Sequence, residues 1–168
     1  VGQVGTVTDT AYIITGTSGT DQSGLNFANF ETFEISGTKY TDITGNGITG
    51  DDTVLMGVTV FIDSDGDGAH DAGELFDVTD ASGNWSISGL DYTVAGKEVK
   101  EITPSGYVQT VGQVGTVTDT AYIITGTSGT DQDDFDFANF ELFDISGTKF
   151  TDENGDGSIV GDLGLGGV

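Results

Sequence analysis

The run DSDGDGAHDAGE, Asp63 to Glu74, places side-chain oxygens at alternate positions of a twelve-residue segment. Asp63, Asp65 and Asp67 stand at positions 1, 3 and 5, with Gly68 at the sharp turn of position 6. Ala69 offers its backbone carbonyl at 7, Asp71 stands at 9, and Glu74 closes the run at 12. Alternate residues of a curling loop can all point inward, which suits a hard cation taking six to eight oxygens at about 2.3–2.6 Å. The run matches the calcium loop of EF-hands at every specified place. Five carboxylates this close repel one another, and a divalent ion offsets much of that cost. The alternative is a solvated acidic turn.

The flanks differ from those of an EF-hand. The alternating pattern GVTVFID runs straight into Asp63, and LFDVTDASG follows Glu74. A clamp between two strands is therefore expected rather than a sensor that opens a helix pair. His70, the sole histidine, stands at position 8 and is expected to be exposed and without a catalytic role. A second loop reads DENGDGS, with Asp152, Asn154, Asp156 and the Ser158 carbonyl at positions 1, 3, 5 and 7. Its position 12 is Leu163, so Asp162 has to stand in for the closing Glu. The corresponding DITGNGI is weaker, relying on Asp42, Thr44 and Asn46 with Asp51 or Asp52 nearby.

These loops must be held by strands. Apolar residues alternate at Val58, Val60 and Ile62, at Trp85 and Ile87, and around Ile13 and Ile35, with turn signals such as SGTD, ASGN and PSG between them. No stretch has helical periodicity. VGQVGTVTDTAYIITGTSGTDQ begins at Val1 and returns letter for letter at Val111, a period of 110 residues. In that register 41 of the 58 overlapping positions are identical, including Val58 with Val168, which makes a tandem array the expected organisation. Residues 1–34 read as the C-terminal strands of a preceding repeat, 35–144 as a complete one, and 145–168 as the first strand and loop of the next. VGQVGTVTD opens the chain without a signal-peptide pattern, as an excerpt from a longer polypeptide does. An all-β, immunoglobulin-like sandwich of about seven short strands fits each unit.

Composition narrows the function. Asp and Glu number 28 against 4 Lys, for a formal charge of −24, which repels nucleic acid and anionic membrane surfaces. Hydrophobic residues at 35% suffice for a core, where a disordered acidic tail would be poorer in them. Cysteine is absent, which excludes disulfides and thiolate metal sites and leaves bound metal as a staple. No apolar run approaches the roughly 20 residues of a membrane span, so no membrane insertion is expected. The single histidine lies inside an acidic loop, and neither a cysteine nucleophile nor a phosphate-binding glycine loop is present, so no enzyme is expected.

The order ISGTKFTDENGDG, GVTVFIDSDGDGAHDAGE, VTDASGNWSISGL, ITPSGY and FANFE resembles the serine–aspartate repeat B-type domains. These are prealbumin-like relatives of the collagen-adhesin B domain in bacterial surface proteins. The resemblance covers the whole 110-residue unit. It implies a β-sandwich with calcium-loaded loops, and carries the calcium positions onto Asp63, Asp65, Asp67, Asp71 and Glu74. Some relatives also join a first-strand Lys to a last-strand Asn by an isopeptide bond, assisted by a buried acid. Lys39, Asn139 and Glu101 occupy about those places, and strand parity puts them with Ile35, Phe137 and Val99 respectively. Glu101 lies three residues before Pro104, one fewer than in the usual motif. The alternative is a surface lysine, an asparagine turned out of its strand and a solvated glutamate.

The expectation is thus an extracellular, cell-surface stalk or filament whose partners are neighbouring repeats. An adhesin segment binding a cell-surface ligand is the alternative, with Trp85 and the tyrosines as candidates although their alternation favours the core. A third is a non-catalytic module attached to an enzyme elsewhere in the parent chain.

Overall fold

The computed structural model describes residues 11–112 and 121–167. Residues 1–10 of the expected first piece, and Val168, lie outside them. Eleven strands and one short 3-10 turn, Tyr92–Val94, make up the regular structure of the described residues.

Two sheets face each other. The first is built on β1 (Phe33–Thr41), whose N-terminal part pairs antiparallel with β5 (Asn84–Leu90) and whose C-terminal part pairs with β2 (Thr53–Val54). On its other edge β1 pairs parallel with β9 (Phe137–Glu141), which pairs antiparallel with β7 (Tyr107–Val111). The second sheet runs β4 (Phe76–Val78), β3 (Thr59–Asp63), β6 (Glu98–Glu101), β8 (Tyr122–Ile123), all antiparallel. A separate hairpin joins β10 (Phe150–Thr151) to β11 (Leu163–Gly164).

Alternation decides which side chains enter the core. Val58, Val60 and Ile62 are buried, as are Trp85, Ile87 and Leu90 of β5, Val99 of β6 and Phe137 of β9. Burying such side chains stabilises by roughly 1.5–3 kcal/mol each before chain entropy is set against it. Trp85 is only 2% exposed and packs beside Phe137, so it serves the core and not a ligand surface. Gly37 has a steric reason: a Cβ there would lie 2.2 Å from the Phe135 carbonyl oxygen.

The strand expected around Ile13 is not formed. Ile13 is 89% exposed, whereas its repeat counterpart Ile123 lies in β8 against β6. An apolar alternation makes a strand only where a partner edge supplies hydrogen bonds, and β6 has given that edge to β8. The β10–β11 hairpin shows the reverse. Phe150↔Gly164 and Thr151↔Leu163 repeat the register of Tyr40↔Val54 and Thr41↔Thr53, so this hairpin forms from its own sequence.

Candidate functional site

Three acidic loops share one local design. In the Asp63 loop, Gly66 N donates to Asp63 Oδ1 (2.7 Å) and Gly68 N to Asp63 Oδ2 (3.0 Å). Gly45 and Gly47 do the same to Asp42, and Gly155 and Gly157 to Asp152, at the same distances. The first carboxylate of each loop thus organises the turn by accepting two amides, and the second glycine takes a left-handed φ, +83° at Gly68. Asp63, at the end of β3, is 1% exposed, while residues 64–69 and 71–73 of its loop face solvent.

Asp63, Asp65 and Asp67 bring carboxylate oxygens within 4.8 Å of one another, a spacing able to hold a metal ion. Asp71 and Glu74 stand outside that group of three. Glu74 folds back to accept from Ser64 N (2.6 Å) and Asp71 N (3.0 Å), pinning both ends of the loop. Ala69 donates its amide to Asp67, as Ser158 does to Asp156.

In the two shorter loops an aspartate one place earlier takes the role of Glu74. Asp52 accepts from Ile43 N (3.0 Å) and Thr49 N (2.6 Å), and Asp162 accepts from Glu153 N (3.3 Å). Thr44 donates to Asp51, and Asn154 donates to Asp156. Burial pushes the Asp42 carboxyl up, but the Gly47 amide, the Thr110 hydroxyl and the Gly45 and Asn46 amides outweigh it and hold the pKa below its usual range. Asp152 is likewise held down, chiefly by the Gly157 amide.

Two lysines of the β6 region reach the main loop, a contact with no signal in local spacing because they are distant from it in the chain. Lys100 Nζ lies 2.8 Å from Asp63 Oδ2 and 2.6 Å from Glu98, and Lys97 donates to the Ser64 carbonyl. The Lys100 hydrogen bond is the main reason that the Asp63 pKa is lowered. His70 departs from the exposed position expected for it. It is half-buried, its ring 5.3 Å from Phe61 and 4.8 Å from Phe76, because the loop folds its position 8 back over β3 and β4.

A different cluster lies inside the sandwich. Lys39 of β1, Asn139 of β9 and Glu101 of β6 are all buried, with Lys39 Nζ 3.0 Å from Glu101 Oε2. Lys39 faces Phe137 across the parallel pair and Thr41 faces Asn139, so Lys39 and Asn139 share one face of neighbouring strands. Glu101 reaches them from the opposite sheet. Thr103 donates to Glu101 at 3.4 Å, while neither Nδ2 nor Oδ1 of Asn139 makes a well-directed hydrogen bond.

Burial dominates the electrostatics here. It lowers the Lys39 pKa to about 8 although Glu101 pulls it up. Burial also raises the Glu101 pKa, against the opposing pull of Lys39 and of the Thr103 hydroxyl. Both directions favour a neutral amine beside a protonated acid. A neutral amine is a nucleophile, and the unpartnered carboxamide of Asn139 shares its sheet face.

Among solved structures the chain is similar to that of GBS52, the minor pilin in the Gram-positive pathogen Streptococcus agalactiae. The two share 23% identity with a TM-score of 0.44, over 71% of this chain and 49% of that one. The chain thus spans about half the length of that pilin. No family model matches the chain, and no curated protein matches it.

Proposed function

We propose that the chain is a structural repeat of an extracellular stalk or filament, stapled by calcium at its loops and by a covalent bond across its first and last strands. The observation that carries this reading is the parallel pairing of β1 with β9 in a sequence that repeats every 110 residues. When the first and last strands of a unit run parallel, the chain enters at one pole and leaves at the other. Copies then follow one another along a line, and tension along that line shears β1 against β9. Lys39 and Asn139 span that pair.

The proposed bond is a transamidation. Neutral Lys39 Nζ attacks Asn139 Cγ, and protonated Glu101 hydrogen-bonds the carboxamide oxygen as charge develops on it. Glu101 then relays the amine proton to the departing nitrogen. The Cγ–Nδ2 bond breaks, ammonia leaves, and a Lys–Asn amide remains with no oxidant or cofactor needed. Intact mass spectrometry tests this: the expected mass is that of the sequence less one ammonia, and an unreduced mass would refute the crosslink.

Calcium at Asp63, Asp65 and Asp67, completed by the Ala69 carbonyl, Asp71 and Glu74, is supported by the convergence of three carboxylates on one point. Asp42, Thr44, Asn46 and Asp52 form a second candidate site, and Asp152, Asn154, Asp156, Ser158 and Asp162 a third. Their support is the shared Asx cradle. Electron microscopy of native material with calcium and after chelation tests the filament reading: fibres that soften or fragment support it, and isolated flexible strings in both conditions point to a passive tether.

A further inference from the structure

Phe30 and Phe140 occupy the same place in the 110-residue repeat, and the structure describes them at opposite poles of one sandwich. At the entry pole, Phe30 precedes β1 and belongs by sequence to the unit before it. Yet it is partly buried and packs against this unit's core. Its ring lies 6.3 Å from Phe33 and 5.8 Å from Tyr92, both edge-on. The backbone beside it is also tied down: Glu31 N donates to Ser128 Oγ, and Gly129 N donates to the Glu31 carbonyl, each at 2.9 Å.

At the exit pole, Phe140 of β9 covers its own unit's acidic loop, with its ring 3.5 Å from where a Gly45 Cβ would stand. It also meets Phe143 edge-on at 6.1 Å, the same contact that Phe30 makes with Phe33. Phe143 is the counterpart of Phe33 and is 69% exposed, whereas Phe33, at the start of β1, is 2% exposed. Between the end of β9 at Glu141 and Phe143 there is a single residue, Leu142, and its N–H is held by the Gly106 carbonyl at 2.8 Å.

We infer that this repeated phenylalanine is the lock between consecutive units: one face seated on its own unit's Asp42–Asp52 loop, the other on Phe33 and Tyr92 of the unit that follows. The partner surface is the entry pole of a second copy of the repeat. Phe140 shows the first half of the contact and Phe30 the second. The inference rests on the tandem-array reading above. It adds that the units are joined without a linker and that the junction is stiff. One residue between strands leaves no flexible spacer, and the aromatic seat and the Glu31 hydrogen bonds fix the angle that remains.

The geometry sets a length. Phe33 lies six residues before Lys39 along β1, Lys39 is level with Phe137, and Phe143 lies six residues beyond Phe137. At about 3.3 Å per residue, the axial repeat is at most about 40 Å.

The test uses this chain. Phe30→Ala should lower the melting temperature by roughly 4–8 °C, the shift of a modest lost contact in a domain of this size, although Phe30 lies outside the strands of the complete unit. Tyr92→Ala should lower it as well, and in that background Phe30→Ala should cost much less, because the two rings share one contact. An unchanged melting temperature for Phe30→Ala, or strictly additive effects, would overturn the lock. These readings need no filament, so they stand apart from failure of the array reading, which native microscopy decides. In native fibres an axial period at or below about 40 Å agrees with the lock, and a clearly longer one refutes it.

Discussion

The inner cluster and the outer loops solve the same electrostatic problem in opposite ways. Around Asp63, carboxylates crowd together but remain in water, where their charge persists and is offset by backbone amides, by Lys100, and in the proposed state by an ion. Around Lys39, water is excluded and burial shifts both Lys39 and Glu101 toward their uncharged forms. Exposure preserves charge and invites a cation; burial removes charge and turns a lysine into a nucleophile. The proposed calcium staple would be reversible and depend on the medium, while the proposed amide bond, once formed, would be permanent.

The largest effect should come from Glu101→Ala. It leaves the Lys39 amine buried with no polar partner, a cost of about 1–3 kcal/mol on top of the lost crosslink. Intact mass should also show the ammonia retained. Loss of ammonia in this variant would mean that Glu101 has no part in the bond. Asn139→Ala should likewise retain the sequence mass, and it exposes a pH signature. With the Lys39 pKa lowered from 10.5 to about 8, the unfolded chain binds more protons between those values. Stability of this variant should therefore rise as pH rises from about 8 toward 10.5. The crosslinked protein, whose Lys39 no longer titrates, should lack that rise in thermal melts over the same range.

Calcium removal comes next. At roughly 2 mM free ion and a dissociation constant near 0.1 mM, each proposed site would contribute about 1.8 kcal/mol. Chelation should lower the melting temperature and increase proteolysis near Ala69, and Asp63→Ala with Glu74→Ala should reproduce most of that effect. A double variant that melts like the parent chain would move the main site elsewhere. The smallest expected effect belongs to Lys100→Met. Its ammonium competes for Asp63 Oδ2, so its removal should raise calcium affinity about two- to fivefold in calorimetric titration. Weaker binding would mean that Lys100 organises the loop rather than competing with the ion.

How much of this was legible in the sequence depends on how local each feature is. The acidic loops were, because their oxygens come from one twelve-residue run whose turn is set by its own glycines. The core was as well, since alternation alone puts Val60, Ile62, Trp85 and Ile87 inside. Closure of the shorter loops was half-legible: Asp162 and Asp52 were in sight, but only backbone geometry gave both the role of Glu74. Strand parity put Lys39, Glu101 and Asn139 on inward faces, while their association as a set came from family resemblance. The lysines on the Asp63 loop, the half-buried His70 and the seat of Phe30 left no trace in spacing.

The sequence by itself determined the 110-residue period, the loops and the faces of the strands, because these depend on direct self-similarity, on contacts within a turn or on the twofold alternation of a strand. Only the tertiary structure decided that β1 and β9 run side by side and parallel, bringing a lysine, an acid and an amide from three distant segments into one dry space. Such contacts depend on which strands pair and in which direction. That choice is made by the whole core at once, as every strand seeks both a hydrogen-bonded edge and a buried face.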